Sequence, residues 1–279
     1  MQEQTIAVGG RDARYFVAGD GPPLLLLHGN GDSKYSWSWT LPELARAHRV
    51  YALDLPGVGA PPAPGGPALT SGRCARFVAD FLDAVGLPRL AIVGNSFGGL
   101  VAARLALAAP RRVAALALVD SAGLGAAVNP YLHQLALPGY GDLAALWGKT
   151  WTGAQQWAWL RTALVFARAG RAPADWIAEQ GRLARQPGFN DRTMAVLRTL
   201  VGWYGQRDLV VGQLSRLAMP TLVVWGREDR IFPACQARAA AARLPHGRLA
   251  IIPDCGHLPH VERPALFADH LGRFLAAEI

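Results

Sequence analysis

The sequence predicts an α/β protein built on a doubly wound, mostly parallel sheet, and three observations carry that reading. Short and nearly continuous apolar runs, such as PLLLL at 23–27, LAIV at 90–93, VAALALV at 113–119 and TLVVW at 221–225, read as strands buried on both faces. Longer helix-patterned segments separate them, as crossovers between parallel strands require. Polar residues gather directly after the apolar runs, and in an open parallel sheet the carboxyl ends of strands are where ligands bind.

In chain order the expected strands lie in ARYFVAG, PLLLLHG, RVYALDLPG, RLAIVGNS, VAALALVDSAG, TLVVWGRED and GRLAIIPDCGH. The expected helices span Tyr35 to Ala47, Thr70 to Val85 with Thr70 or Ser71 as cap, Phe97 to Ala108, Pro233 to Leu244 and Pro264 to Ala277. Pro61 to Pro67 reads as a surface loop rich in Pro and Gly. The strand-helix rhythm stops between Ser121 and Met219, where Trp147, Trp151, Trp157, Trp159, Trp176 and Trp203 fall in helical patterns broken by Gly and Pro. The expected organisation is therefore a core of residues 1–120 and 220–279 with an inserted unit of four or five short helices at 121–219.

The 279 residues can bury a sizeable core, and no apolar run approaches the roughly 20 residues that span a bilayer. No membrane span is expected, and the polar opening MQEQTIAVGG has no leader pattern. The net charge of +8 comes almost wholly from scattered arginines, since Lys34 and Lys149 are the only lysines. Without a basic block, nucleic acid is not an expected partner. Cys74, Cys235 and Cys255 are odd in number and form no CxxC pair, so neither a metal site nor a disulfide framework is expected. A reducing, cytoplasmic compartment fits this usage. Oligomeric state is not legible at this level.

The groups that follow the strands are His28-Gly29-Asn30, Asp54, Asn95-Ser96, Asp120, Glu228-Asp229 and Cys255-Gly256-His257. Gly94-Asn95-Ser96-Phe97-Gly98 has the Gly-x-Ser-x-Gly form of a nucleophile elbow, in which a serine sits on a strained strand-to-helix turn. It follows a strand, opens a helix, and is trailed by an acid after a late strand and a histidine after the last one. A serine hydroxyl becomes a competent nucleophile only when a histidine takes its proton, and that histidine needs a carboxylate to hold its tautomer. Ser96, Asp229 and His257 are the candidates for these roles, with Asp120 the rival acid and His260 the rival base. His260 is expected to face solvent or the loop, His28 to shape the backbone after its strand, and Cys255 to be a buried, inert thiol.

With these motifs the chain resembles the α/β-hydrolase family along nearly its whole length. The matching stretches are HGN at 28–30, DLPGVG at 54–59, GNSFGG at 94–99, WGREDRIFP at 225–233 and CGHLPHVERP at 255–264. The resemblance implies Ser96 as nucleophile, Asp229 as acid, His257 as base, the backbone N–H groups of Asn30 and Phe97 as oxyanion donors, and the insertion at 121–219 as a lid. It implies a cofactor-independent serine hydrolase acting on a small hydrophobic carboxylic ester through an acyl-enzyme. A C–C bond hydrolase of the meta-cleavage-product type is the alternative, although Leu258 stands where that subgroup carries a tryptophan. Lactonase, amidase and perhydrolase activities, and a ligand receptor on the same fold, are further alternatives. A C–C hydrolase must hold a substrate anion, for which Arg161, Arg168, Arg192 and Arg198 are candidates; their plainer reading is as solvated helix-face residues.

Overall fold

In the computed structural model, residues 1–57 and 69–279 are described. The expected Pro61 to Pro67 loop and the Val58-Gly59 end of the DLPGVG motif lie outside them. The chain begins β1 (Gln2–Val8), β2 (Arg11–Ala18), β3 (Pro23–Leu27), α1 (Leu41–Leu44), β4 (Arg49–Leu53) and α2 (Ser71–Ala84). It continues through β5 (Leu90–Asn95), α3 (Phe97–Ala108) and β6 (Val113–Val119). Next come α4 (Pro130–Ala136), α5 (Tyr140–Trp147), α6 (Trp151–Val165), α7 (Ala174–Ala184), α8 (Phe189–Leu200) and a small ribbon of β7 (Val201–Gly202) and β8 (Gly205–Gln206). The last elements are β9 (Thr221–Gly226), α9 (Cys235–Ala241), β10 (Gly247–Ile252), α10 (Pro259–Glu262) and α11 (Pro264–Glu278).

Eight strands form one sheet in the order β1-β2-β4-β3-β5-β6-β9-β10, parallel from β4 onward. Leu24, Leu25, Leu26 and Leu27 are all fully buried because both faces of β3 are covered. Leu25 and Leu27 pack with Val78 and Phe81 of α2 and Leu100 of α3. Leu24 and Leu26 pack with Leu41 of α1 and Phe267 and Leu271 of α11. Each buried leucine contributes about 1.5–3 kcal/mol, so the apolar runs that announce the strands also hold the layers together. The chain leaves β3 toward β4 and returns as β5 on the other side, so β3 and β5 meet at the point where strand order reverses. Loops that follow two such strands diverge and leave a crevice between them.

The structure differs from the sequence expectation in four places. β1 is an added edge strand whose residues are mostly exposed and polar, so it carries no apolar run; the Gly9-Gly10 turn, with φ of 55° and 77°, folds it back on β2. β2 itself runs antiparallel to both its neighbours. The helix expected over Tyr35 to Ala47 is instead a 3-10 turn at Lys34–Trp37 followed by the single turn α1, because Pro42 lacks an N–H to continue a helix and favours starting one. The helix expected from Pro233 to Leu244 narrows to α9. Thr70 does cap α2, accepting from the Arg73 N–H, while the Ser71 hydroxyl turns to Asp208.

His260 is the fourth difference, being fully buried rather than exposed. Its ring stacks on Trp37 at 4.1 Å between centroids and meets the edge of Phe267, and neither ring nitrogen has a hydrogen-bond partner among the described residues. Burial, with a smaller contribution from neighbouring His257, lowers its pKa from 6.5 to about 3. The unfolded chain therefore takes up a proton near pH 6.5 that the folded chain refuses until about pH 3. Stability from this residue is complete above pH 6.5 and is lost as pH falls through that window. In thermal melts between pH 7 and 4, His260→Phe is expected to flatten the acid decline in Tm; parallel declines in the two proteins would contradict it.

Candidate active site

Ser96 stands between β5 and α3 with φ of 54°, a left-handed backbone unusual for a residue with a side chain. The turn holds because its neighbours have no Cβ. A methyl group on Gly94 would lie 2.3 Å from the Gly98 carbonyl oxygen, and one on Gly98 would lie 2.4 Å from that of Leu27. The Ser96 N–H donates to the Val119 carbonyl at 2.9 Å, and its own carbonyl accepts from Gly99, Leu100 and Ala122. The α3 start thereby presses against the end of β3, where Leu27 pairs with Gly94. Residues 28–30 consequently run beside 95–97.

His257, in the loop after β10, has Nδ1 2.9 Å from Asp229 Oδ2 and is 5% exposed. Asp229 Oδ1 accepts from the Ile231 N–H at 2.7 Å and the Phe232 N–H at 3.3 Å. The Phe232 ring meets the imidazole edge-on at 5.4 Å. Asp120 is also buried beside this pair, but its Oδ1 accepts from the Gly226 N–H at 2.9 Å. Burial first and the Asp229 charge second push the Asp120 carboxyl well above the ordinary range. Of the two carboxylates, Asp229 is the one that bonds the histidine. One donor atom from each of Asp120, Asp229 and His257 lies within 4.8 Å of the others, the tightest grouping of potential metal ligands among the described residues. Both Asp229 oxygens are already committed within the protein.

A cavity of about 120 Å³ is lined by Asn30, Ser96 and His257 on the sheet side and by Trp157, Leu164 and Leu197 on the other. Asp229 sits behind His257 and does not line it. Phe97 does not line it either: its side chain belongs to a small adjoining pocket with His28 and Arg192, while its N–H opens the first turn of α3, where amides have no acceptor within the helix. Both His28 ring nitrogens are spent on backbone, Nδ1 on the Gly29 carbonyl at 2.8 Å and Nε2 on the Leu55 N–H at 2.9 Å. His28 thus shapes the loop after β3. Asp54 is taken by Lys34, and burial pushes the Cys255 thiol far up, leaving it protonated.

Of the four candidate arginines, only Arg161 reaches this cavity, and it is not solvated. Its Nη1 donates to the Gly31 carbonyl and its Nη2 to the Asn30 carbonyl at 3.3 Å, with Asp32 Oδ2 at 3.6 Å. Arg192 is likewise buried, donating to the carbonyls of Gly57 and Pro187. Both depart from the helix-face reading because backbone carbonyls left over in loops need donors, and a guanidinium offers five. Arg168 pairs with Asp254 and Arg198 with Asp142 at the surface.

Two residues at the site have no role assigned in the sequence reading. Asn95 Nδ2 donates to the Val119 carbonyl at 3.2 Å and the His257 carbonyl at 3.0 Å, which explains a polar residue in a buried strand. Glu262 accepts from the N–H groups of Gly256, Ala167 and Arg168, joining the histidine loop to the end of α6. A polar residue at the end of an apolar run was the only sequence signal for the first; the second had none. Asn95→Ala deletes two buried bonds and strands their acceptors, so the denaturant midpoint should fall by the equivalent of about 1–3 kcal/mol. An unchanged midpoint would remove Asn95 from this role.

A family model for the alpha/beta hydrolase fold matches residues 22–264. The dihydrolipoyllysine-residue acetyltransferase component of the acetoin cleaving system of Cupriavidus necator is 35% identical over 272 residues, covering 95% of this chain and 68% of its own. The 2-hydroxymuconate semialdehyde hydrolase of Pseudomonas sp. strain CF600 is 31% identical over 264 residues, covering 93% of this chain and 88% of its own. Among solved structures, a bacterial membrane phospholipase A superposes with a TM-score of 0.81 at 31% identity, covering 99% of this chain and 86% of that one. No helix among the described residues of the present chain is long and apolar enough to cross a membrane.

Proposed function

The chain belongs to the α/β-hydrolase fold family, and on that premise we propose that it is a cofactor-independent serine hydrolase cleaving small hydrophobic carboxylic esters through an acyl-enzyme. One observation carries the reading: Ser96, on a strained turn, shares a cavity wall with His257, whose Nδ1 faces Asp229 Oδ2 at 2.9 Å. In this reading the His257 Nδ1–H donates to Asp229, leaving Nε2 to take the Ser96 proton as the hydroxyl attacks the ester carbonyl. The negative oxygen is met by the Asn30 and Phe97 N–H groups, one in the loop after β3 and one at the start of α3. His257 then returns the proton to the departing alcohol and activates water against the acyl-enzyme. The segment 121–219 acts as the lid over a core of 1–120 and 220–279, a role supported by the wall that α4, α6 and α8 supply through Leu135, Trp157, Leu164, Met194 and Leu197.

Ser96→Ala and His257→Ala should each abolish nearly all ester turnover, with the double variant scarcely worse, because the groups act as one unit. A fluorophosphonate probe should label the wild type at Ser96, as mass spectrometry of the modified peptide will read. Asp229→Asn should lower kcat by about 10³–10⁴-fold through the wrong histidine tautomer. Asp120→Asn should cost far less, since that carboxyl bonds the Gly226 N–H and not the histidine. Additive losses, or the reverse ranking of the two aspartates, would refute the assignment.

The second reading, C–C bond hydrolysis, is favoured by the presence of Arg161 in the cavity and by the similarity to 2-hydroxymuconate semialdehyde hydrolase. A dienol carboxylate needs a free cation, however, and the Arg161 Nη groups are occupied by two carbonyls and face Asp32. The apolar wall favours a neutral substrate. Across a p-nitrophenyl ester series, activity should rise with acyl hydrophobicity and then fall as chains exceed the cavity. Faster turnover of a vinylogous diketo acid than of the best ester, at equal concentration, would reverse the order of the two readings.

A further inference from the structure

Arg161 is the one Lys, Arg, Asp or Glu among the described residues that line the cavity, yet its position suits a substrate anion poorly. The side chain is 13% exposed, its guanidinium lies 6.0 Å from the Trp176 ring centre, and both terminal nitrogens point at the loop after β3. That loop is held from every side. Asn30 Nδ2 donates to the Thr193 carbonyl of α8 at 3.0 Å, and Asp32 Oδ1 accepts from the Ser33 N–H at 2.9 Å and from Gln180 of α7 at 3.3 Å. Three inserted helices thus converge on Asn30, Gly31 and Asp32 of the core.

The peptide planes explain what this convergence does. The Asn30 N–H shares a plane with the Gly29 carbonyl, which His28 Nδ1 engages at 2.8 Å, so that carbonyl is turned inward and the amide points the opposite way. The next two carbonyls, of Asn30 and Gly31, would be free to rotate about Gly31, whose φ is 69°, were they not tied to Arg161. We propose that Arg161 is a positioning residue: reaching from α6, it holds the carbonyls of Asn30 and Gly31 against Asp32 and so keeps the Asn30 N–H aimed into the cavity that Ser96 lines. The inference rests on the hydrolase reading above and deepens it by tying the oxyanion donor to the seated position of the inserted helices. With α6 withdrawn, the donor loop loses its tie, so the site is complete only when α6 is in place. Asp32 Oδ2 stands 3.6 Å from the guanidinium and two carbonyls occupy its terminal nitrogens, which leaves the cavity suited to neutral substrates.

The test compares wild type with Arg161→Met and Arg161→Ala, using a p-nitrophenyl butyrate assay, the rate of fluorophosphonate labelling at Ser96, and thermal melts. Removing one oxyanion donor outright costs about 10²–10³-fold in kcat, so mis-aiming it should cost about 10–100-fold. The loss should fall on kcat with KM within about twofold, the labelling rate should drop in parallel, and millimolar guanidinium should restore part of the Arg161→Ala activity. A structural role alone would show in the melt without that rescue. Wild-type kcat and labelling rate in Arg161→Met would overturn the inference while leaving the hydrolase reading intact, as would a KM rise confined to carboxylate-bearing esters. Absence of labelling in the wild type would overturn both. If the Arg161 variants do not fold, Gly31→Ala takes their place: its new Cβ would stand 2.5 Å from Arg161 Nη1, and the same kcat-confined loss is expected.

Discussion

A contact between two stretches of backbone, with no space for a methyl group, is the constraint on which the site depends. Gly98 at the start of α3 abuts the Leu27 and His28 carbonyls at the end of β3, and Gly94 abuts Gly98 itself. The left-handed φ of Ser96 is the consequence, since only a sharp reversal brings the helix so near the strand it has just left. Strain of this kind costs on the order of 1–3 kcal/mol and persists only where surrounding structure over-determines it. Here the surroundings are the fully buried leucines of β3, the pairing of Leu27 with Gly94, and the bonds that Ser96 makes to Val119 and Ala122. The loop of residues 28–30 and the turn of 95–97 become neighbours because β3 and β5 are neighbours.

From that contact the other loops are placed by chains of hydrogen bonds, and α6 is the element that links them. Its C-terminal end accepts from the His257 N–H through the Val165 carbonyl at 2.7 Å. Arg230 covers the carbonyls of Ala163, Phe166 and Ala167, and Glu262 accepts from the amides of Ala167 and Arg168. The middle of the same helix carries Arg161 to the loop after β3. One helix of about 15 residues therefore touches both the histidine side and the Asn30 side of the cavity. The His257 N–H and the Val165 carbonyl, both on buried residues, satisfy each other there, which makes that anchor costly to break.

Electrostatics at the site is decided by burial more than by count. The chain has a net charge of +8, yet the arginines nearest the cavity are matched by carbonyls or carboxylates rather than left to act as a field. Two aspartates lie side by side behind His257, and burial together with the neighbouring Asp229 charge pushes the Asp120 carboxyl upward. Asp120 has a single backbone donor, from Gly226, whereas Asp229 has the Ile231 and Phe232 amides and the imidazole.

The sequence by itself determined the parallel sheet, the position of the turn at Ser96, the helices α2, α3 and α11, and the set of polar residues at the strand ends. These are local properties: apolar runs mark strands buried on both faces, and Gly, Ser and Asn at fixed offsets mark a turn that only small residues tolerate. Tertiary structure alone decided which of those polar groups meet. Asn95 reaches a carbonyl 162 residues away, and Arg161 a carbonyl 131 residues back, distances over which composition and period carry no information. His260 is buried because Trp37 and Phe267 come together around it, and β1 forms because β2 offers an edge; neither appears in the pattern of its own residues. Asp120 and Asp229 have the same side chain in similar places after strands, and only the surroundings folded around each push the carboxyl of one upward and make the other the partner of histidine.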